Sequence, residues 1–205
     1  MKPNATHMRR RTHLFSLASM LTIPWLASCA HSGNQVSVRR PPSAPLTEFD
    51  LFLPATYTLG LPGEGAIARF KTPEFASLFE QLGTELLQHN GIAGRAFTTM
   101  KERAPGRYLI AFRPVGLDSW RGIINGLAYE ISLLSPTDEV LMSWNYSTNL
   151  GAVVFDPGKW SDYETAVALL VLSSLNAVQG AGYAKLKFST AETMAGWTRP
   201  LFWKI

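Results

Sequence analysis

Cys29 is the only cysteine in this 205-residue chain, and it stands just behind a short apolar run. No intramolecular disulfide can form, so any fold must be held together by packing. The run is Leu14 to Leu26 (LFSLASMLTIPWL), preceded by Arg9, Arg10 and Arg11 and followed by the small residues Ala27 and Ser28. Positive charge, an apolar stretch and small residues, in that order, form an export signal. The run is too short to span a bilayer, which takes roughly 20 apolar residues. The chain is therefore expected to divide at this point, with 1–28 a signal peptide and the remainder folding after export.

Leu26-Ala27-Ser28-Cys29 resembles the lipobox of bacterial lipoproteins. The resemblance implies cleavage between Ser28 and Cys29 and acylation of the Cys29 sulfur. Lipoproteins of this class carry two or three acyl chains. Each buried methylene contributes about 0.8 kcal/mol, and two chains hold stably where one holds only marginally. Ala30 follows the cysteine, where an aspartate would signal retention at the inner membrane in enterobacteria-like systems. The resemblance thus implies the outer membrane, lipid-anchored, on the periplasmic side. Met8, directly before the arginines, is the better start for such a signal than Met1.

The net charge of +4 and pI near 9.3 invite a nucleic-acid reading, which the charge distribution removes. Four of the 19 basic residues (Lys2, Arg9, Arg10, Arg11) precede Cys29 and all 15 acidic residues follow it, leaving 15 of each beyond the signal. No nucleic-acid motif is present. The expected partners are the membrane, through the lipid anchor, and an envelope protein or further copies of the chain; no nucleic acid is expected.

Residues 29–47 read as the lipidated N-terminus and a tether rich in proline (Pro41, Pro42, Pro45), able to reach roughly 55 Å if extended. Residues 48–205 read as a single globular domain. Phe49 to Leu61 is a β-favouring opening segment, and Pro62 to Gly65 a turn before a short strand at Ala66 to Phe70. A helix should start at Thr72-Pro73-Glu74 and bury Phe75, Leu78, Phe79, Leu82 and Leu86 before stopping at Asn90-Gly91. Strands are expected at Arg95 to Thr99 and at Arg107 to Arg113, the second closed by Pro114. Gly116 to Gly126 reads as an elaborated loop. Leu127 to Leu134 and Val140 to Ser147 form a hairpin around Ser135 to Glu139. Ser161 and Glu164 have capping-box spacing for a last, mostly buried helix to Val178, followed by a possible strand at Lys185 to Phe188 and an aromatic tail.

The order β-α-β-β-β-α predicts an α+β sandwich: a mixed sheet with a central antiparallel hairpin and two main helices on one face. From about Ala66 to Gly182 the pattern resembles envelope lipoprotein domains related to the N-terminal domain of TolB and to curli- or exopolysaccharide-export lipoproteins. Tyr108-Leu109-Ile110 and Val140-Leu141-Met142-Ser143-Trp144 carry that resemblance, which implies a fold and, by analogy, an envelope-assembly role.

Catalytic chemistry finds few residues to work with. Beyond the signal only His31 and His89 remain, and there is no Gly-x-Ser-x-Gly elbow. His89 at a helix end reads as a dipole partner. Zinc sites of Cys/His type are excluded by count, and no phosphate-binding loop is present, so no catalytic residue, metal or cofactor is expected. Asp118, Glu130 and Asp156 are carboxylates that tertiary structure could gather for a carbohydrate- or peptidoglycan-acting enzyme. Asp138 and Glu139 belong to a turn and read as solvated. Trp144 alternates with Met142 and Tyr146 and reads as core, whereas Trp120 and Trp160 are candidates for a partner surface. The favoured expectation is a non-catalytic envelope-binding domain. The alternatives are the carboxylate enzyme and a carrier of lipid or another small molecule.

Overall fold

Local chemistry determines where both long helices begin or end. In a computed structural model that describes residues 36–40, 42–62, 65, 70–120, 123–147, 160–189 and 192–193 (backbone only at 118–120, 123–126 and 160–162), α1 spans Pro73–His89 and α2 spans Trp160–Gly180. Thr72 caps α1 by accepting a hydrogen bond from the Phe75 amide at 3.2 Å, Pro73 occupies the first turn, and Glu74 sits at the positive end of the dipole. Thr72→Ala should lower stability by about 1 kcal/mol, seen as a shift in the urea midpoint at constant m.

Both helices end in the same way. Gly91 (φ 78°) and Gly182 (φ 81°) take the left-handed conformation. Gly91 N–H donates to Gln88 and Ile92 N–H to Leu87, while Gly182 N–H donates to Gln179 and Tyr183 N–H to Val178. This is the paired 5→2 and 6→1 pattern of a Schellman motif, and the residue after each glycine, Ile92 or Tyr183, is buried as that motif favours. Helix α2 starts one residue ahead of the expected cap Ser161 and continues past Val178 to this motif.

The strands are β1 Ser37–Val38, β2 Asp50–Phe52, β3 Ala96–Phe97, β4 Leu109–Trp120, β5 Ile123–Leu134 and β6 Val140–Ser147. They form one mixed sheet in the order β1-β6-β5-β4-β2-β3, with β2 parallel to β3 and β4 and the other pairs antiparallel. With its two helices this is the expected α+β fold. The register aligns Ile110 and Phe112 of β4, Ile131 and Leu133 of β5, and Met142 and Trp144 of β6 on one buried face. Helix α1 packs there, with Phe79 edge-on to Phe112 at 5.8 Å, and α2 lies against α1 through Tyr163 and Phe75. The opposite face carries a row of small residues, Ala111, Ser132, Ser143 and Ser37, beside a cross-strand Arg113–Glu130 ion pair.

Four expectations need correction. The stretch read as a free tether to residue 47 instead docks from Ser37, because β6 offers an open edge and Val36-Ser37-Val38 has the alternation of a strand. Leu46 then bridges to Ala184, which leaves Lys185 to Phe188 outside any strand. Gly116 to Gly126 is not a loop, since β4 and β5 stay paired out to Trp120 and Ile123. Pro114 does not close β4, because the register shifts between Pro114 and Gly116 and a bulge at Val115 absorbs the missing donor. Of the strand expected at Ala66 to Phe70, residues 66–69 lie outside the described residues and Phe70 is buried in a helical turn ahead of α1.

Near the C-terminus, Ser189 and Glu192 form a reciprocal capping box: Ser189 N–H donates to Glu192 Oε2 at 2.8 Å and Glu192 N–H to Ser189 Oγ at 3.1 Å. The Ser189 amide, and then its hydroxyl, hold the Glu192 carboxyl below its ordinary value. A lowered folded-state pKa makes the cap fully stabilising above the unfolded glutamate value, near 4.3. The cap is then lost as pH falls through the lower folded value. The Ser189 amide resonance should therefore move to its coil position with a midpoint below that of an ordinary glutamate, and Glu192→Gln should flatten the titration.

Candidate functional site

Strand polarity decides which ends of the elements share a side of the domain. β2, β4 and β6 run in one direction, so their last residues face one end of the sheet; β1 runs against β6 and joins it at Ser143, level with Ser132 and with Ala111 near the start of β4. α1 finishes at the opposite end, where Ala93 N–H donates to Thr47 O and Ala93 bridges to Glu48. Its first turn is therefore on the same side as the tip of β4, and Tyr163 in the first turns of α2 meets Phe75 there at 6.0 Å. The two tryptophans proposed for a partner surface both belong to this end: Trp120 is the last residue of β4 and Trp160 the first of α2.

Trp120 is carried on a ribbon. β2 pairs with β4 only as far as Ala111, and β6 pairs with β5 only as far as Ala128. From Gly116 to Trp120 and from Ile123 to Leu127 the two strands are paired only with each other among the described strands, a projection of about 17 Å. Its base is firm. Tyr129 is fully buried opposite Pro114 and Tyr146, and burial, followed by the neighbouring Tyr57 and Tyr146, pushes its phenol well above the ordinary value. Trp144 lies two residues along on the same face, 4 % exposed and part of the core as expected; its indole N–H finds no acceptor among the described residues.

Of the candidate carboxylates, the structure describes the side chain of Glu130 and the backbone position of Asp118. Asp118 lies opposite Gly126, four residues along β5 from Glu130, or about 13 Å. Glu130 is engaged by Arg113, Asp138 by Arg103, and Glu139 by Arg40 at 3.6 Å. Asp156 and Cys29 lie outside the described residues. His89 closes α1 and stacks on Phe188 at 4.7 Å. Among the described residues no group of three His, Cys, Asp or Glu is placed to hold a metal, and no helix is long and apolar enough to cross a membrane.

Residue type alone flags the two tryptophans, but nothing in the sequence reading places them on a common end, and it misses the ribbon. Arg121-Gly122 is not one of the favoured two-residue hairpin pairs, such as Asn-Gly or Asp-Gly, so no strong local signal marks the ribbon.

No protein family matches the chain, and no curated protein does. Among solved structures it is similar to the PelC dodecamer from Paraburkholderia phytofirmans, at 14% identity over 75% of this chain and 100% of that one, with a TM-score of 0.39. It is also similar to a single-residue variant of that dodecamer in another crystal form, at 14% identity over 73% of this chain and 98% of that one, again with a TM-score of 0.39.

Proposed function

We propose that this chain is a bacterial lipoprotein, acylated at Cys29 and held on the periplasmic side of the outer membrane. Its α+β domain acts without catalysis, binding another envelope component or further copies of itself. The observation that carries the reading is the ordered run of arginines, apolar residues, Ala27-Ser28 and the chain's single cysteine. A partner surface has candidates in Trp120, the last residue of β4, and Trp160, the first of α2, at one end of the domain.

Metabolic labelling with palmitate tests the anchor. The wild-type chain should take up label and fractionate with outer membrane, and Cys29→Ala should do neither. Cross-linking in intact cells tests the second half of the reading. A covalent adduct with an envelope protein or a second copy, weakened at least tenfold by Trp120→Ala with Trp160→Ala, is the expected result. An adduct indifferent to both tryptophans would move the partner surface elsewhere.

A further inference from the structure

We propose that β1 is a releasable strap that sets how far the domain stands from the lipid, an inference that rests on the acylation of Cys29. Among the described residues, backbone hydrogen bonds tie the N-terminal chain to the domain at two places. At the outer one, Ser37 and Val38 pair with Ser143 and Met142, and Arg39 N–H donates to Leu141 O at 2.8 Å. At the inner one, Leu46 N–H donates to Tyr183 O at 2.6 Å and the Leu46 side chain packs against the core.

The two attachments differ in what holds them. The outer one is two residues of edge strand with both side chains exposed. Val36 and Val38 keep 46% and 42% of their surface in water, and the Arg40–Glu139 pair beside them is 70% and 56% exposed. Elements with so few buried contacts open locally at little cost, while the packed core stays closed. Arg39-Arg40-Pro41-Pro42 follows at once, so the strand cannot lengthen on its C-terminal side.

Release changes the geometry. Ser37 follows Cys29 by eight residues and Leu46 follows it by seventeen. With β1 docked the chain between lipid and sheet spans at most about 28 Å; with β1 released it spans about 58 Å to Leu46. The same segment thus offers a short and a long standoff. Release also bares the β6 edge at Leu141 to Ser143.

Neutron reflectometry of the full lipidated chain on a supported bilayer reads the gap directly. Ser37→Cys with Ser143→Cys, oxidised, locks the strap, and Ser37→Pro removes a strand donor and frees it. The locked chain should lie within about 28 Å. The proline variant, its fold checked by circular dichroism, should show a gap up to twice as wide, and wild type should match the locked chain. Hydrogen exchange should find the Arg39 amide opening at least tenfold faster than amides of the β5–β6 ladder. Equal gaps in the locked and proline variants, a wild-type gap equal to that of the proline variant, or Arg39 exchange as slow as the ladder would each overturn the proposal. A chain without palmitate on Cys29 would instead overturn the anchor reading, and exchange at Arg39 in the purified Cys29→Ala chain would still report whether β1 releases.

Discussion

Arg107→Ala should lower the unfolding free energy by about 3–5 kcal/mol, the cost of stripping the partner from a buried charge. Asp50, the first residue of β2, is 1% exposed. Arg107 Nε lies 3.1 Å from both of its carboxylate oxygens and donates to Oδ1, which also accepts from the Arg95 amide at 3.1 Å; Oδ2 accepts no hydrogen bond among the described residues. The same guanidinium reaches Ala93 O at 2.6 Å and Glu48 at 3.3 Å. One side chain thereby joins the start of β2, the approach to β3 and the approach to β4. Without it, the Arg95 amide alone would face the buried charge. Arg113→Ala is the contrasting measurement. Its pair with Glu130 is 68% and 42% exposed, so its loss should cost under about 1 kcal/mol. Arg107→Lys should fall between the two, since an ammonium lacks the fork that serves three acceptors at once. Urea midpoints of the three variants check the order, and equal losses at Arg107 and Arg113 would show that the Asp50 carboxylate is not held as described.

The elements legible from sequence are those whose signals are local. Thr72, Pro73, Glu74, the stripe from Phe75 to Leu86 and Gly91 all act within a turn or two of the residues they affect, and α1 begins and ends where they direct. β1 has no such signal beyond two valines. It is a strand because β6 presents an edge, a fact recorded some hundred residues later in the chain. The ribbon from Gly116 to Gly126 reads as a loop because its glycines and Asp118 are poor strand formers. Cross-strand pairing with β5 overrides that preference. Asp50 is conspicuous as a lone charge inside an apolar run, but its partner Arg107 lies 57 residues on. The candidate site divides in the same way. Tryptophan content singles out Trp120 and Trp160, while their shared end follows from strand polarity, which only the assembled sheet defines.

Gly94→Ala is the substitution with the largest expected effect. A Cβ at this position would stand 1.9 Å from the Phe49 carbonyl oxygen, 3.0 Å from its carbon and 3.1 Å from Leu87 Cδ1. The obstacle is backbone, and it cannot swing away like a side chain. Nor can the strand slide, because the segment is pinned on both sides of the glycine: Ala93 N–H donates to Thr47 O, and Leu51 N–H donates to Arg95 O, each at 2.9 Å. Relief therefore requires breaking the contact between β2 and the approach to β3, with Phe49 at the centre of the core. A loss of about 4 kcal/mol or more, at the extreme of single substitutions, is expected, or failure to accumulate as soluble protein. Gly83→Ala separates this effect from simple crowding. Its Cβ would meet Ala96 Cβ at 2.7 Å and Leu51 Cδ1 at 3.4 Å, side-chain atoms between a helix and the sheet. Overpacking of about 1–3 kcal/mol is there offset by roughly 1 kcal/mol of helix propensity. Adding Ala96→Gly to Gly83→Ala should recover most of the loss, whereas no side-chain truncation at Leu87 should rescue Gly94→Ala. Thermal melts of the four variants decide it: a Gly94→Ala chain that melts with wild type would mean that β2 and the approach to β3 are not in backbone contact at Phe49.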